Sequence, residues 1–311
     1  MLAENPGPFT YLGTGTYLIG HSEVAVVDPG PLDDAHVERV IAALEPGERI
    51  THIVVTHTHG DHSPASLPLQ KRTGAITYGF GPQRVVPDLT AMADDAIVFG
   101  DPEADGNPLD DLPLKNDGTP QAMPGLGADQ SFEPDVVLRD GDVVGGDGWT
   151  LDSVYTPGHA SNHLCYVLRE ESTLFSGDHV MGWSTTVVSP ADGDLGEYLD
   201  SLKRLFERKQ DRRYLPTHGP PIEEPHALVR AFLTHRNERS EQLLDALDAL
   251  DAGPATIAEL VPRVYALTSK KLWRGAAGSM YAQLLYLRDA GEVEVEVEAL
   301  GRHSTWVRRR S

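Results

Sequence analysis

His57-Thr58-His59-Gly60-Asp61-His62 places three imidazoles and one carboxylate within six residues, directly after the apolar run 53–55. Imidazole nitrogen and carboxylate oxygen are ligands that suit a borderline divalent ion such as zinc. The alternation of His57 and His59 points both rings to one side of an extended segment. A structural zinc site is usually closed and rich in cysteine thiolate, whereas this chain has one cysteine in 311 residues. The cluster therefore predicts a metal site that supports chemistry.

The size and composition of the chain are typical of a globular protein. Its 311 residues are enough for a sizeable core and more than one domain. No run of 18 apolar residues is present, so no membrane span is predicted. Residues 1–20 lack the basic and apolar segments of a secretory signal, and the single cysteine, Cys165, excludes an internal disulfide. We therefore expect a cytoplasmic protein in which Cys165 is a small buried hydrophobe.

The net charge of −21 bears on the class of substrate. Proteins that bind nucleic acid normally carry a basic footprint, and the bulk charge here is of the opposite sign. The alternative is a local basic groove, because Lys270, Lys271, Arg274 and Arg288 are clustered in the C-terminal part. We interpret the acid excess as a solubility feature and expect a small-molecule substrate.

Strands and helices alternate along the first two-thirds of the chain, which predicts a layered α/β domain. Helical periodicity covers residues 33–44 and 195–208. Short apolar runs predict the strands, at residues 16–19, 24–27, 50–56, 75–78, 149–155, 163–168, 173–176 and 213–215. Residues 85–134 break this pattern, because they are rich in Pro, Gly, Asp and Asn. We expect either a lid over the metal site or a surface insertion there, and a lid would use apolar contacts from Met92, Phe99, Met123, Leu126 and Phe132.

The C-terminal part has a different composition. Residues 228–250 and 272–290 read as helices, and Thr256 with Glu259 forms a capping box for a helix between them. Strict alternation over residues 292–298 predicts a strand, and residues 304–310 return beside it, with arginines pairing across to the glutamates. We predict a catalytic domain over residues 1–221 and a small helical, winged-helix-like domain over residues 222–311. The second domain is expected to pack beside the cleft or to form a homodimer, with a nucleic-acid adaptor role as the alternative.

Three later segments supply further metal ligands. Each carries one ligand-type residue directly after a predicted strand: His159, Asp178 and His218. Strand ends that gather on one edge of a sheet are where sites of α/β proteins form. We therefore expect these three residues to join the cluster at residues 57–62.

These motifs resemble those of the metallo-β-lactamase superfamily, which also has an aspartate in the position of Asp28 in Val-Val-Asp-Pro-Gly. The resemblance covers residues 8–222 and implies an αββα sandwich with a binuclear metal centre, usually zinc. It implies that His57, His59 and His159 bind one ion, that Asp61, His62 and His218 bind the second, and that Asp178 bridges them. Asp28 would orient ligands from outside, and His163 would contact the substrate or support a ligand.

The whole chain is similar to a narrower group, the β-lactamase-like protein 2 family. The opening Asn5-Pro6, Thr10, Gly13-Thr14 and Thr16-Tyr17-Leu18 carries this likeness. Animal members of that group are single-stranded RNA endonucleases, and fungal relatives are thioesterases. True zinc β-lactamases usually have Cys or Ser in place of Asp178, so the resemblance favours thioesterases, lactonases and nucleases over lactam hydrolysis.

The expected activity is hydrolysis of a carboxylic ester, thioester or lactone. Zinc bound by these residues would lower the pKa of its water to about 7 and so would supply a nucleophile at neutral pH. Asp61 and Asp178 are the expected catalytic carboxylates. RNA cleavage and β-lactamase activity are the alternative activities. Iron and manganese are the alternative metals.

Overall fold

The computed structural model describes residues 1–7, 9–84, 127–250, 253–295 and 304–309. Two five-stranded sheets form its centre. The first sheet has the order β1–β5, and its strands are β1 (Tyr17–Ile19), β2 (Glu23–Val27), β3 (Arg49–Val54), β4 (Ile76–Gly79) and β5 (Val136–Val137). The second has the order β10–β6, and its strands are β6 (Val143–Gly146), β7 (Trp149–Tyr155), β8 (Leu164–Leu168), β9 (Thr173–Gly177) and β10 (Arg213–Pro216).

Strand pairing is mixed in both sheets. In the first sheet β1 and β2 are antiparallel, whereas β2, β3, β4 and β5 run parallel to their neighbours. In the second sheet β9 and β10 are parallel and the other pairs are antiparallel. The parallel pairs matter for the site, because they bring the carboxyl ends of β3 and β4, and of β9 and β10, to common edges.

Apolar packing defines the layers. One cluster joins the facing sides of the two sheets and includes Val27, Val54, Leu164 and Tyr166. Helices α1 (Asp34–Ala42) and α2 (Ser66–Thr73) cover the other face of the first sheet. Helix α3 (Leu195–Glu207) covers the other face of the second. The layers are therefore helix, sheet, sheet and helix, as the sequence predicts.

Local sequence signals explain where these elements begin and end. Asp33 caps α1 by accepting a hydrogen bond from the backbone N–H of Ala35, and Asp194 caps α3 in the same way from Glu197. Strand β3 ends two residues earlier than the apolar pattern predicts. The reason is that the Asp28 side chain, and not a neighbouring strand, accepts the N–H of Thr56 at 2.8 Å.

Three helices and a hairpin follow the sheets: α4 (Pro225–Asp248), α5 (Ile257–Val264), α6 (Trp273–Asp289), β11 (Val293–Val295) and β12 (Trp306–Arg308). The capping box of Thr256 and Glu259 is present at the start of α5. The strands β11 and β12 are antiparallel, and Arg309 pairs with Glu294 at 3.2 Å, as predicted. The remainder of the predicted strand, residues 296–298, lies outside the described residues.

Helix α4 belongs to two apolar clusters. Val229 and Phe232 in its first half pack with α3 and the second sheet. Leu243 and Leu247 in its second half pack with α5, α6 and the hairpin. Within the described part of the chain, no helix has the length and apolarity needed to cross a membrane.

Candidate metal centre

Four loops place the predicted ligands, and each loop follows a strand. Residues 57–62 follow β3, His159 follows β7, Asp178 follows β9 and His218 follows β10. Gly177 makes the turn before Asp178 with a φ of +51°, and a Cβ there would lie 2.5 Å from Nε2 of His163. Glycine is therefore required at this position by both conformation and space.

All seven predicted ligands lie together in two groups. His57, His59, His159 and Asp178 form the first group. Asp61, His62 and His218 form the second. Within each group, one ligand atom from each residue lies within 4.8 Å of the others. Residue 218 lies some 160 positions beyond residue 57, and the ends of the strands bring these distant residues together, as predicted.

In the first group, three ring nitrogens converge. Nδ1 of His59 lies 2.9 Å from Nε2 of His57 and 3.1 Å from Nε2 of His159. Oδ2 of Asp178 lies 3.7 Å from Nε2 of His159. The lone pairs of these nitrogens and of the carboxylate therefore point into one small volume.

Asp178 lies between the two groups. Its Oδ1 is 3.4 Å from Nε2 of His218, and its Oδ2 is 3.5 Å from Nε2 of His62. Asp61 completes the second group, with Oδ2 3.1 Å from Nε2 of His218 and Oδ1 3.5 Å from Nε2 of His62. One carboxylate thus contacts both groups, which is the arrangement that a bridging ligand needs.

Four of the five imidazoles are oriented from outside through Nδ1, which leaves Nε2 facing inward. Nδ1 of His159 contacts the carbonyl of Val187 at 2.7 Å, and Nδ1 of His218 contacts the carbonyl of Gly13 at 3.2 Å. Nδ1 of His57 lies 3.1 Å from the hydroxyl of Thr56. Such outer partners fix the tautomer and the ring orientation of metal-binding histidines.

Asp28 orients the fourth of these rings, His62. Its Oδ2 lies 3.0 Å from Nδ1 of His62, and the same carboxylate accepts hydrogen bonds from Thr56 and Thr217. Asp28 is buried and has a φ of +49°, a left-handed conformation that is uncommon for a residue with a side chain. Its role outside the cluster matches the one that the sequence resemblance implies.

His163 is fully buried and supports the backbone of Asp178. Its Nε2 accepts a hydrogen bond from the N–H of Asp178 at 3.2 Å, and its Nδ1 lies 2.9 Å from the hydroxyl of Thr156. The ring is held at both nitrogens and has no exposed surface, so its geometry favours support of Asp178, a predicted ligand, over contact with a substrate.

The sequence gives no role to Thr14, yet it contacts the second group. Its hydroxyl donates to Oδ2 of Asp61 at 2.9 Å, and the preceding residue, Gly13, supplies the carbonyl that faces His218. The N-terminal segment is therefore part of the site. The Gly13-Thr14 pair in the opening motif was the available signal, but it does not reveal which side chains the hydroxyl reaches.

The pKa values of the imidazoles in the cluster are shifted in opposite directions. Burial lowers the pKa of His59 to about 3, helped by the neighbouring His159. Burial also disfavours a charge on His218, but Asp178 and Asp61 outweigh it and raise the pKa of His218 to about 10. The pKa of Asp61 is lowered to about 2 because His62 and His218 outweigh its burial. In the absence of metal, protons on His62 and His218 therefore balance the two carboxylates.

The residues fit a divalent metal. Nε2 of His62 and Oδ1 of Asp178 are buried and lack a hydrogen-bond partner among the described residues. Leaving buried polar atoms without partners is costly, and both atoms face the middle of the cluster. Five imidazoles and two carboxylates are also a donor set suited to borderline divalent ions.

An aromatic surface adjoins the second group. The rings of Tyr11 and Trp183 stack with centroids 5.0 Å apart, and Tyr11 remains 41% exposed. Both rings lie close to residues of the second group. Tyr11 precedes Gly13 and Thr14 in the chain, and Trp183 packs against Gly219, which follows His218. The ring pair therefore offers an apolar face beside the cluster.

Segment 85–126 lies outside the described residues. The residues that flank it contact residues in or next to the site. Before it, the N–H of Arg84 donates to the hydroxyl of Ser161 at 2.7 Å. After it, Asp129 accepts a hydrogen bond from Ser63 at 2.8 Å, and residue 128 bridges to His59. Of the apolar contacts predicted for a lid, Phe132 is buried, and Met92, Phe99, Met123 and Leu126 fall in the undescribed segment.

The layered sheets and the His/Asp cluster define a mixed α/β fold with a candidate metal site. The sequence profile of the metallo-β-lactamase superfamily matches residues 11–218. The chain belongs to this superfamily, whose members are hydrolases. A metallo-β-lactamase family protein from Thermus thermophilus has a similar structure, with a TM-score of 0.66, 25% identity, and coverage of 95% of this chain and 94% of that one.

Curated relatives carry several names. Lactamase-like protein adaB of Aspergillus niger is 31% identical over 78% of this chain, but the match spans only 62% of that relative. An atrochrysone carboxyl ACP thioesterase of Aspergillus chevalieri is 30% identical, with 98% of this chain and 85% of the relative covered. A β-lactamase-like protein 2 homolog of Drosophila melanogaster is 28% identical, with 96% and 90% covered.

Proposed function

We propose that this protein is a metal-dependent hydrolase that cleaves a carboxylic ester, thioester or lactone. The observation that carries the proposal is the position of Asp178, whose oxygens lie near His159 of the first group and near His62 and His218 of the second. The ligands would be the first group around His59 and the second group around His62, with two Zn²⁺ ions per chain. Bound metal would supply activated water near neutral pH and would polarise the oxygen of the substrate.

The chain's own residues keep this arrangement in place. Asp28 and the carbonyls of Gly13 and Val187 hold the rings so that Nε2 faces inward. Thr14 donates a hydrogen bond to Asp61 and holds that carboxylate against His218. This preorganisation places the donors before a substrate arrives, so little reorganisation is needed during the reaction.

The surroundings of the cluster favour an acyl substrate. The exposed ring of Tyr11 offers an apolar face for the acyl part. The net charge of −21 disfavours a phosphate-tracking groove, and Arg84 beside the site is paired with Glu197 at 3.0 Å. The thioesterase names among the relatives agree with this choice.

A substrate panel tests the proposal. The purified protein is analysed for metal content and then assayed with thioester, lactone, β-lactam and single-stranded RNA substrates. We expect thioester or ester hydrolysis to dominate and to fall by at least about 100-fold in Asp178→Asn. Asp152→Asn is the matched control, because Asp152 pairs with Arg169 and is not a predicted ligand. RNA cleavage that dominates the panel and disappears in Asp178→Asn would replace this function with a nuclease.

We also propose a cytoplasmic protein with a catalytic domain over residues 1–221 and a winged-helix-like domain over residues 222–311, the second of which packs beside the cleft or forms a homodimer. The hairpin supports a packing role and not a nucleic-acid adaptor, because the Glu294 side chain faces Arg309 and offsets its charge. Light scattering measures the oligomeric state. Salt-sensitive binding of RNA or DNA by the full chain would favour the adaptor instead.

A further inference from the structure

Arg236 on α4 is a buried cation. Only 5% of it is exposed, its Nη2 donates a hydrogen bond to the carbonyl of Thr186, and its guanidinium lies 5.2 Å from the ring centroid of Tyr198. Among the residues that the structure describes, no carboxylate pairs with it and its Nε has no hydrogen-bond partner. Burying a charge without a carboxylate partner is costly. Stabilisation of the fold therefore does not explain why this cation is buried.

Arg236 contacts Thr186. Residues 186 and 187 each contact one predicted metal ligand. The hydroxyl of Thr186 donates to the carbonyl of Asp178 at 2.7 Å. The carbonyl of the next residue, Val187, accepts from Nδ1 of His159 at 2.7 Å. A shift of this segment would therefore move both the bridging carboxylate and a ring of the first group.

We infer that Arg236 is a positioning residue for the metal centre. Its hydrogen bond fixes the carbonyl of Thr186, and the 186–187 segment in turn fixes Asp178 and His159. The cation comes from α4, whose second half packs with the C-terminal helices. The ligand geometry thus depends on a helix that follows the last ligand in sequence. This inference rests on the proposed metal-dependent function.

Metal affinity and folding stability, measured separately, test this role. Metal-free protein is titrated with Zn²⁺ in competition with a chromophoric chelator, and the melting temperature of the metal-free form is recorded beside it. Arg236→Met is expected to weaken Zn²⁺ binding by about 10-fold, the low end of the range for loss of an outer partner of a metal ligand, because Arg236 acts through Thr186. The melting temperature should not fall, because the substitution removes an unpaired buried charge.

Arg239→Met is the matched control. Arg239 lies on the same helix, donates to the carbonyl of Val264 at 2.8 Å and lies 4.5 Å from the ring centroid of Tyr265, but it does not contact the 186–187 segment. This variant should bind Zn²⁺ like the parent protein. Arg236→Lys keeps the charge and a donor, and it should recover part of the affinity.

The outcomes separate the inference from the proposed function. Parent protein that binds no Zn²⁺ would overturn the function and the inference together. Parent protein that binds Zn²⁺, with Arg236→Met equal to Arg239→Met, would overturn the inference alone, as would a weaker affinity accompanied by an equal loss of metal-free stability. If Arg236→Met does not fold, Thr186→Val tests the same chain of contacts, with Thr186→Ser as its control. Unchanged affinity in Thr186→Val would then reject the inference.

Discussion

Oδ2 of Asp28 lies 3.0 Å from Nδ1 of His62, although 34 residues separate them in the chain. The contact joins the loop after β2 to the loop after β3. It leaves Nε2 of His62 directed at Asp61 and Asp178. The inward direction of one ligand atom is therefore set by a residue that is not itself in the cluster.

Replacing Asp28 with Asn should weaken metal binding without unfolding the protein. The amide keeps the size of the side chain but removes the negative charge that holds the N–H of His62, so affinity should fall by about 10–100-fold. Competition with a chelator measures the change. Asp33→Asn, in the cap of α1, is the control and should leave metal affinity unchanged. Equal affinity in Asp28→Asn and Asp33→Asn would contradict the role given to Asp28.

Metal binding should release protons, and the number released should depend on pH. The pKa of His62 is raised well above 6.5 by Asp61, Asp178 and Asp28 despite its burial, and the pKa of His218 is raised to about 10. Both rings are therefore protonated at pH 7 in the metal-free protein and must become neutral to bind metal. Calorimetry in buffers of different ionisation enthalpy should give about two protons from these rings at pH 7, besides the proton lost by metal-bound water. Above about pH 10 the metal-free His218 is neutral, and the number should decrease. A total of about one proton or fewer at pH 7 would show that these rings are neutral before metal binds.

Tyr11 should control the binding of apolar acyl groups more than the chemical step. Tyr11→Ala removes the ring that stacks on Trp183, and an aromatic contact of this kind is worth about 0.5–1.5 kcal/mol. We expect KM for an aryl thioester to rise by about 2- to 12-fold with kcat almost unchanged. Tyr11→Phe keeps the ring and should retain the parent KM. A loss confined to kcat would instead place Tyr11 in the chemistry.

Cys165 should be inert in the folded protein. It has no exposed surface, and burial raises the pKa of its thiol to about 12. Since the thiolate is the reactive form, a disulfide reagent at pH 8 should not label native protein and should label one thiol per chain in denaturant. Rapid labelling of the native form would mean that β8 opens locally.

The sequence is enough to predict which ligand-type residues lie together, because the chemistry of each is visible in its type and position. His57, His159, Asp178 and His218 each stand shortly after an apolar run, and strands of one layered fold end on shared edges. The same runs predict a layered α/β domain, and the family resemblance implies its helix–sheet–sheet–helix order. Cys165 is also predicted correctly, since a lone cysteine in an apolar strand has few other roles.

The supporting contacts could not be predicted in the same way. Thr14, Thr186 and Arg236 are ordinary residue types, and no spacing links them to Asp61 or Asp178. Their roles come from the packing of whole elements, such as α4 against the loop after β9. The end of β3 was missed for a related reason, because a side chain from a distant loop takes the hydrogen bond that a strand neighbour would take.

The continuous course of α4 has an evolutionary consequence. Recombination that exchanged the C-terminal part at residue 222 would strip Val229 and Phe232 from the core beneath α3 and would also remove Arg236. A viable exchange must therefore preserve the first three turns of this helix or replace them with an equivalent. The two parts of the chain are consequently expected to be inherited as one unit and not shuffled between lineages as separate modules.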